Sequence, residues 1–250
     1  MTQLIKAYNW RGAMLICGVI FGVIIISAAQ FLKVPKINAA TIKESSINTS
    51  GCEVSPLQMI KSSLFILIFF TYFIAMIAGM MSIGHIVAFM QGKNFSEIQS
   101  VFALSILSVF NGVGRITFGA LSDRFGIKNI LALLFSIIGG SVFLLCYLDK
   151  LVFMYIISGF IGLCFGGFLS VYPALTADYF GSRYFSINYG LVFLGYGSGC
   201  FIGPLLGGYI YDITHSYLIA FKTAGALALL GGLLILFALA KPKKVYIQKI

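Results

Sequence analysis

Seven runs of mainly apolar residues, each about twenty residues or longer, leave this chain few folds to choose from. They fall at roughly 12–32, 63–90, 98–121, 129–148, 151–177, 187–211 and 217–240. A run of that length crosses the ~30 Å hydrocarbon layer of a bilayer as a helix, at ~1.5 Å per residue. A helix also satisfies its own backbone hydrogen bonds, which lipid cannot do. The predicted fold is therefore an all-α polytopic membrane protein with seven spans. The composition agrees: 60% of residues are hydrophobic and 10% charged, where soluble domains carry about a quarter charged residues.

The spacing of the runs divides the chain. A lone helix (1–32) is followed by the only long polar segment (33–62). A block of six spans (63–240) with short gaps comes next, then a basic tail (241–250). Lysine and arginine bias sets the orientation. With the 33–62 loop in the cytoplasm, eleven basic residues lie inside (Lys33, Lys36, Lys43, Lys61, Arg124, Lys128, Arg183, Lys241, Lys243, Lys244 and Lys249). Five lie outside: Lys6, Arg11, Lys93, Lys150 and Lys222. This places the N-terminus outside and the C-terminus in the cytoplasm, in a cell membrane (plasma or inner). Such a start fits a chain that begins partway through a larger protein. The rival reading is a cleaved secretory signal ending at "SAA" before Gln30, which would invert every later loop.

The net charge of +10 belongs with this loop bias and not with nucleic acid, since no basic run is long enough to track phosphates. The five cysteines form no CxxC pair, and the histidines, His85 and His215, are too few and too far apart for a metal site. No metal or cofactor is expected. His85 reads as a packed or interfacial histidine. Ser96 and Gln99 fit a capping box at the start of the third span.

One residue breaks the apolar pattern. In "NGVGRITFGALSDRFG", Arg115 lies about 12 Å along the helix from Asp123, close to mid-membrane. At 100° per residue, Ser108, Asn111, Gly112, Gly119 and Ser122 fall within about 60° of Arg115, while Phe102, Ile106, Val109, Val113 and Ala120 fall on the far side. A cation at that depth costs about 2.5–3.5 kcal/mol and normally faces a bundle interior or a wet cavity. Arginine does not escape by deprotonation, and its planar fork matches a carboxylate. No acid lies at mid-depth in any predicted span. The functional reading is an anion site; the structural one is an arginine bonded to carbonyls.

Tyr189 and Tyr196 share a face of the sixth span, and Phe165, Phe168 and Tyr172 share one of the fifth. They serve either as an apolar wall for a small organic anion or as plain interhelical packing. Gly159, Gly162, Gly166 and Gly167 are expected at close helix contacts.

"GALSDRFGIKNIL" resembles the G-x-L-x-D-R-x-G loop motif of the major facilitator superfamily, with Gly119, Leu121, Asp123, Arg124 and Gly126 in register and Lys128 as the downstream base. "NGVGR", "YPALTADYFG" and "INYGLVFLGYGSG" resemble the oxalate/formate antiporter branch. "NWRGAMLICGVIFGVIII" resembles the family's sixth helix, and 63–240 resembles helices seven to twelve. The resemblance implies a major-facilitator-type six-helix bundle plus one extra N-terminal transmembrane helix. It implies a transporter and not an enzyme, whose partners are a small organic anion, the lipid bilayer and a missing N-terminal half.

The resemblance also implies roles. Arg115 binds the substrate carboxylate; the helix faces read above add Asn111, Tyr172, Tyr189 and Tyr196 as residues that would shape the pocket. Gly119, Asp123, Arg124 and Gly126, with Asp178 and Arg183, form a cytoplasmic latch; solvated loop charges are the plain alternative. Oxalate exchangers of the family carry a helix-eleven lysine at the position of Tyr196, and no lysine occurs from Leu151 to Phe221. One fixed cation matches one carboxylate, so formate, lactate or pyruvate is favoured over oxalate. Two other readings are a truncated half without transport of its own and a standalone seven-helix receptor or retinal protein. The latter lacks a mid-span lysine in the last helix, where Lys222 and Lys241 lie at or beyond the ends.

Overall fold

The computed structural model describes residues 2–31 and 53–239. Eight helices stand among the described residues: α1 (Thr2–Ala29), α2 (Pro56–Ile60), α3 (Ser63–Gly92), α4 (Glu97–Phe125), α5 (Ile127–Leu145), α6 (Leu151–Phe180), α7 (Phe185–Thr214) and α8 (Tyr217–Ala238). All but α2 are long and apolar enough to cross a membrane. The basic tail at 241–250 and most of the polar loop, with Lys33, Lys36 and Lys43, lie outside the described residues.

The chain forms two compact units. The first contains α1, which starts earlier than the apolar run predicts because a short helical stretch precedes that run, joined to it by a non-helical kink at Asn9 (φ 61°). There the Trp10 N–H donates to Asn9 Oδ1 at 2.7 Å. The second unit, from Gly51 onward, holds α2 to α8.

Helix ends in the second unit follow local chemistry. Ser62 caps α3 by accepting from the Phe65 amide at 3.2 Å. The box at α4 closes as expected: Ser96 Oγ accepts from Gln99 N at 3.3 Å, and Ser96 N donates to Gln99 Oε1 at 3.0 Å. The α4 helix runs further than its apolar run suggests. Residues 119–125 of the motif are helix, not loop, so Asp123 and Arg124 sit in its last turn. Gly126 alone makes the turn, at φ 85°, a region that favours glycine.

The bundle is assembled from helix pairs: α4 along α6, α3 along α7, and α5 along α8, with α5 also on α6. Glycines set the first two. A carbon added at Gly114 would fall on the Leu163 carbonyl, one at Gly162 on the Leu107 carbonyl, and one at Gly166 on the Asn111 carbonyl. Along α7, Gly195, Gly199 and Gly203 likewise meet Phe69 O, Phe73 O and Ile77 O of α3, at 2.7, 2.6 and 2.9 Å from the would-be carbon. In lipid, where apolar burial no longer drives association, such backbone approach allows dispersion contacts to hold helices together. The core between the pairs is filled by large side chains with no exposure, among them Tyr72, Tyr172, Phe135, Phe168 and Phe221.

At the end opposite the α4–α5 turn, Lys93 is the principal clasp. Its ammonium donates to Leu148 O (2.8 Å) and Cys146 O (3.3 Å) and pairs with Asp149 at 2.8 Å, the one ion pair among the described residues. His85 packs as expected, with Nε2 at 2.9 Å from Pro204 O and its ring on Tyr217.

Candidate functional site: a groove between two polar-faced helices

α4 and α7 are at once the two least apolar of the six long bundle helices and the two least covered by the rest of the bundle. A lipid-facing surface would show the opposite combination. Their uncovered side suits a wet cavity or another part of a transporter. α3 and α6 pack against both helices and lie between them. The result is a groove with α4 and α7 as walls and α3 and α6 as floor.

Arg115 stands on the α4 wall and is exposed; Asn111, one turn earlier, is half-buried. The Arg115 Nε–H donates to Asn111 Oδ1 at 3.2 Å. No acid pairs with the guanidinium among the described residues, and its other N–H groups remain available. Gly166 of α6 lies beneath this pair, against the Asn111 carbonyl and the Arg115 amide. The site therefore rests on a backbone-to-backbone helix contact.

Tyr196 on the α7 wall is near enough to feel the Arg115 charge. Tyr189, Phe193 and Tyr196 follow one another in contact: Tyr189 and Phe193 are tilted at 49° with centroids 5.5 Å apart, and Phe193 and Tyr196 are stacked at 4.4 Å. The floor is the Tyr72–Tyr172 pair, stacked at 3.9 Å with planes 8° apart. Both rings are fully buried, and neither hydroxyl has a hydrogen-bond partner. Tyr196 lies 5.7 Å from Tyr72.

The groove thus brings together Arg115, Asn111, Tyr172, Tyr189 and Tyr196. Sequence reasoning misses two members. Tyr72 lies in α3, which is apolar around its whole circumference and gives no phase from which to read a face. Phe193 carries a signal that could have been used, since it continues the Tyr189 side of α7 at a spacing of four.

The charged residues at the motif end are arranged differently. Asp178 is near enough to Asp123 for the two carboxylates to repel. Neither arginine pairs with them: Arg124 lies over Phe125 at 5.6 Å and Arg183 over Tyr184 at 5.3 Å. The contact that does form there comes from residues before α2. Glu53 Oε2 accepts from the Arg183 amide (2.9 Å), Val54 N donates to Phe180 O (3.1 Å), and Asn188 Nδ2 donates to Val54 O (3.0 Å). The last stretch before α3 is thereby strapped to the α6–α7 turn.

The sequence profile of the Major Facilitator Superfamily matches residues 1–160 and 130–249. The chain belongs to this superfamily. Among its curated relatives, Monocarboxylate transporter 14 of Homo sapiens is 30% identical over 152 residues, covering 60% of this chain and 29% of that protein. Monocarboxylate transporter 12-B of Danio rerio is 26% identical over 266 residues, covering 95% and 56%. The uncharacterized MFS-type transporter YhjX of Escherichia coli (strain K12) is 29% identical over 104 residues, covering 41% and 26%. The chain therefore spans about half the length, or less, of these relatives. They are transporters by name, in agreement with the expectation that this superfamily member is not an enzyme.

Proposed function

We propose that the protein is the carboxylate-holding part of a secondary transporter of small monocarboxylates, working by alternating access. Arg115 carries this reading: an exposed cation near mid-membrane, held by a neutral Asn111, with no acid paired to it among the described residues. A monocarboxylate supplies one negative charge and two acceptor oxygens, which matches a single guanidinium fork. Formate, lactate or pyruvate fits this charge balance better than oxalate, whose second carboxylate would need a cation from elsewhere. The names of the relatives favour the same class. Exchange in the manner of the oxalate/formate antiporter branch rests on "NGVGR", "YPALTADYFG" and "INYGLVFLGYGSG".

In the membrane, the lone helix 1–32 corresponds to the end of a first half, 33–62 to the cytoplasmic central loop and 63–240 to the second half. The N-terminus lies outside and the C-terminus in the cytoplasm of a cell membrane. Gly119, Asp123, Arg124, Gly126, Asp178 and Arg183 then form the cytoplasmic gate, whose closed state requires the arginines to leave Phe125 and Tyr184 and meet the carboxylates. Uptake of radiolabelled lactate and formate by cells producing a full-length version, with both six-helix halves, tests the site. Arg115→Ala is expected to abolish uptake and Arg115→Lys to leave a small remainder, because a point charge lacks the fork. Wild-type uptake in both variants would overturn the assignment.

The short coverage of the relatives favours a companion reading, in which this half needs a second six-helix half to enclose a cavity. Reconstitution of the chain alone in proteoliposomes decides it: exchange above that of empty vesicles, with the chain monomeric, would refute the need for a second half.

A further inference from the structure

The α7 wall carries more aromatic surface than a formate-sized substrate can use. Phe185, Tyr189, Phe193 and Tyr196 follow one another along one side of the helix. The first pair has centroids 5.6 Å apart and planes 3° apart, and the last pair 4.4 Å and 11°. Phe193 is 39% exposed, and the other three are half-buried. This ladder runs from the motif end of the bundle to the level of Arg115, where Tyr196 meets both the guanidinium field and the buried Tyr72–Tyr172 stack. Two further hydroxyls stand unpaired in the floor beneath it.

We propose that this groove selects monocarboxylates with a ring-sized apolar body, such as arylalkyl acids, over formate- and acetate-sized ones. The inference rests on the reading of Arg115 as the carboxylate anchor. With the carboxylate on Arg115, the body of the acid extends along the α7 wall and lies against Phe193 and Tyr196. Ring faces and edges prefer offset or edge-on aromatic partners, and they gain from burial in proportion to the area removed from water. Formate has no body to bury. The wall therefore adds nothing to its affinity and a large increment to that of an aryl acid.

The test is calorimetric titration of the purified protein with formate, acetate, phenylacetate and 3-phenylpropionate, with uncharged phenylacetamide as the control. Phenylacetate is expected to bind at least tenfold more tightly than acetate, and phenylacetamide far more weakly than phenylacetate. Phe193→Leu, which keeps an apolar side chain but removes the ring, should shrink the phenylacetate-to-acetate ratio at least threefold, and Phe193→Ala should shrink it further. Equal affinities for acetate and phenylacetate would overturn the proposal. So would a high ratio that both variants leave untouched, since the selectivity would then come from elsewhere. If no carboxylate binds, or if binding survives Arg115→Ala undiminished, the anchor itself is wrong, which is a separate failure from loss of aryl preference.

Discussion

Substituting Gly166 with alanine tests the helix contact beneath the site. The added carbon would fall on the Asn111 carbonyl oxygen, 2.9 Å from the Asn111 carbonyl carbon and 3.1 Å from the Arg115 amide nitrogen. These are backbone atoms of α4, so no side chain can rotate away. α4 and α6 must part by about 1 Å, an overpacking that costs ~1–3 kcal/mol. The better helix propensity of alanine returns ~1 kcal/mol of this. Gly112→Ala is the matched control: it lies between Asn111 and Arg115 on the same helix and a carbon there meets nothing within 4 Å, so only the propensity gain remains. Thermal unfolding in detergent, followed by a thiol-reactive dye, suits this chain because the buried Cys146 and Cys164 add their signal on unfolding to that of the half-buried Cys17 and Cys200. Gly166→Ala should melt several degrees below Gly112→Ala, at a few degrees per kcal/mol, and should weaken carboxylate binding by moving Arg115. Equal melting of the two variants would refute the backbone-to-backbone contact.

Three further outcomes follow from the packing. Tyr72→Phe should leave the melting temperature unchanged or raise it, because the hydroxyl is buried without a partner and its loss relieves ~1 kcal/mol of desolvation; Tyr72→Ala in the same melt should be strongly destabilising through the cavity it leaves. Lys93→Met should lower the melting point more than Asp149→Asn, since the lysine also caps the Cys146 and Leu148 carbonyls, whereas Asp149 is 82% exposed and its pairing is worth less than ~1 kcal/mol. Asn188→Ala removes the side-chain bond to Val54 and should hasten limited proteolysis between Glu53 and Ser62, with the helical bundle still intact by circular dichroism.

Much of the fold is legible in the sequence because lipid imposes a length and a composition on every span, and the seven apolar runs meet both. The Ser96 box is legible because capping is local. Arg115 and its polar stripe stand out because α4 is amphipathic enough to have a readable phase. Tyr72 does not, because α3 offers no polar face against which to place it. Relations between distant segments are also illegible. Glu53 and Arg183 are brought together by the α3–α7 pairing, which a chain of interchangeable apolar helices does not announce. The approach of Asp123 to Asp178 likewise depends on which helix ends adjoin, and charge patterns along a single helix cannot show that. The extension of α4 through the motif reflects a third limit: charged residues mark where lipid ends, not where a helix ends.

The neutral partner of Arg115 has an electrical consequence. Asn111 orients the guanidinium without cancelling its charge, so under the function proposed above this wall of the groove would carry one positive charge when empty and none with a monocarboxylate bound. A full charge crossing the membrane potential is worth about 2.3 kcal/mol per 100 mV. On that reading the empty site is the state that feels the voltage, and the loaded site is blind to it. Had the residue one turn before the arginine been an aspartate, the two states would have exchanged these properties.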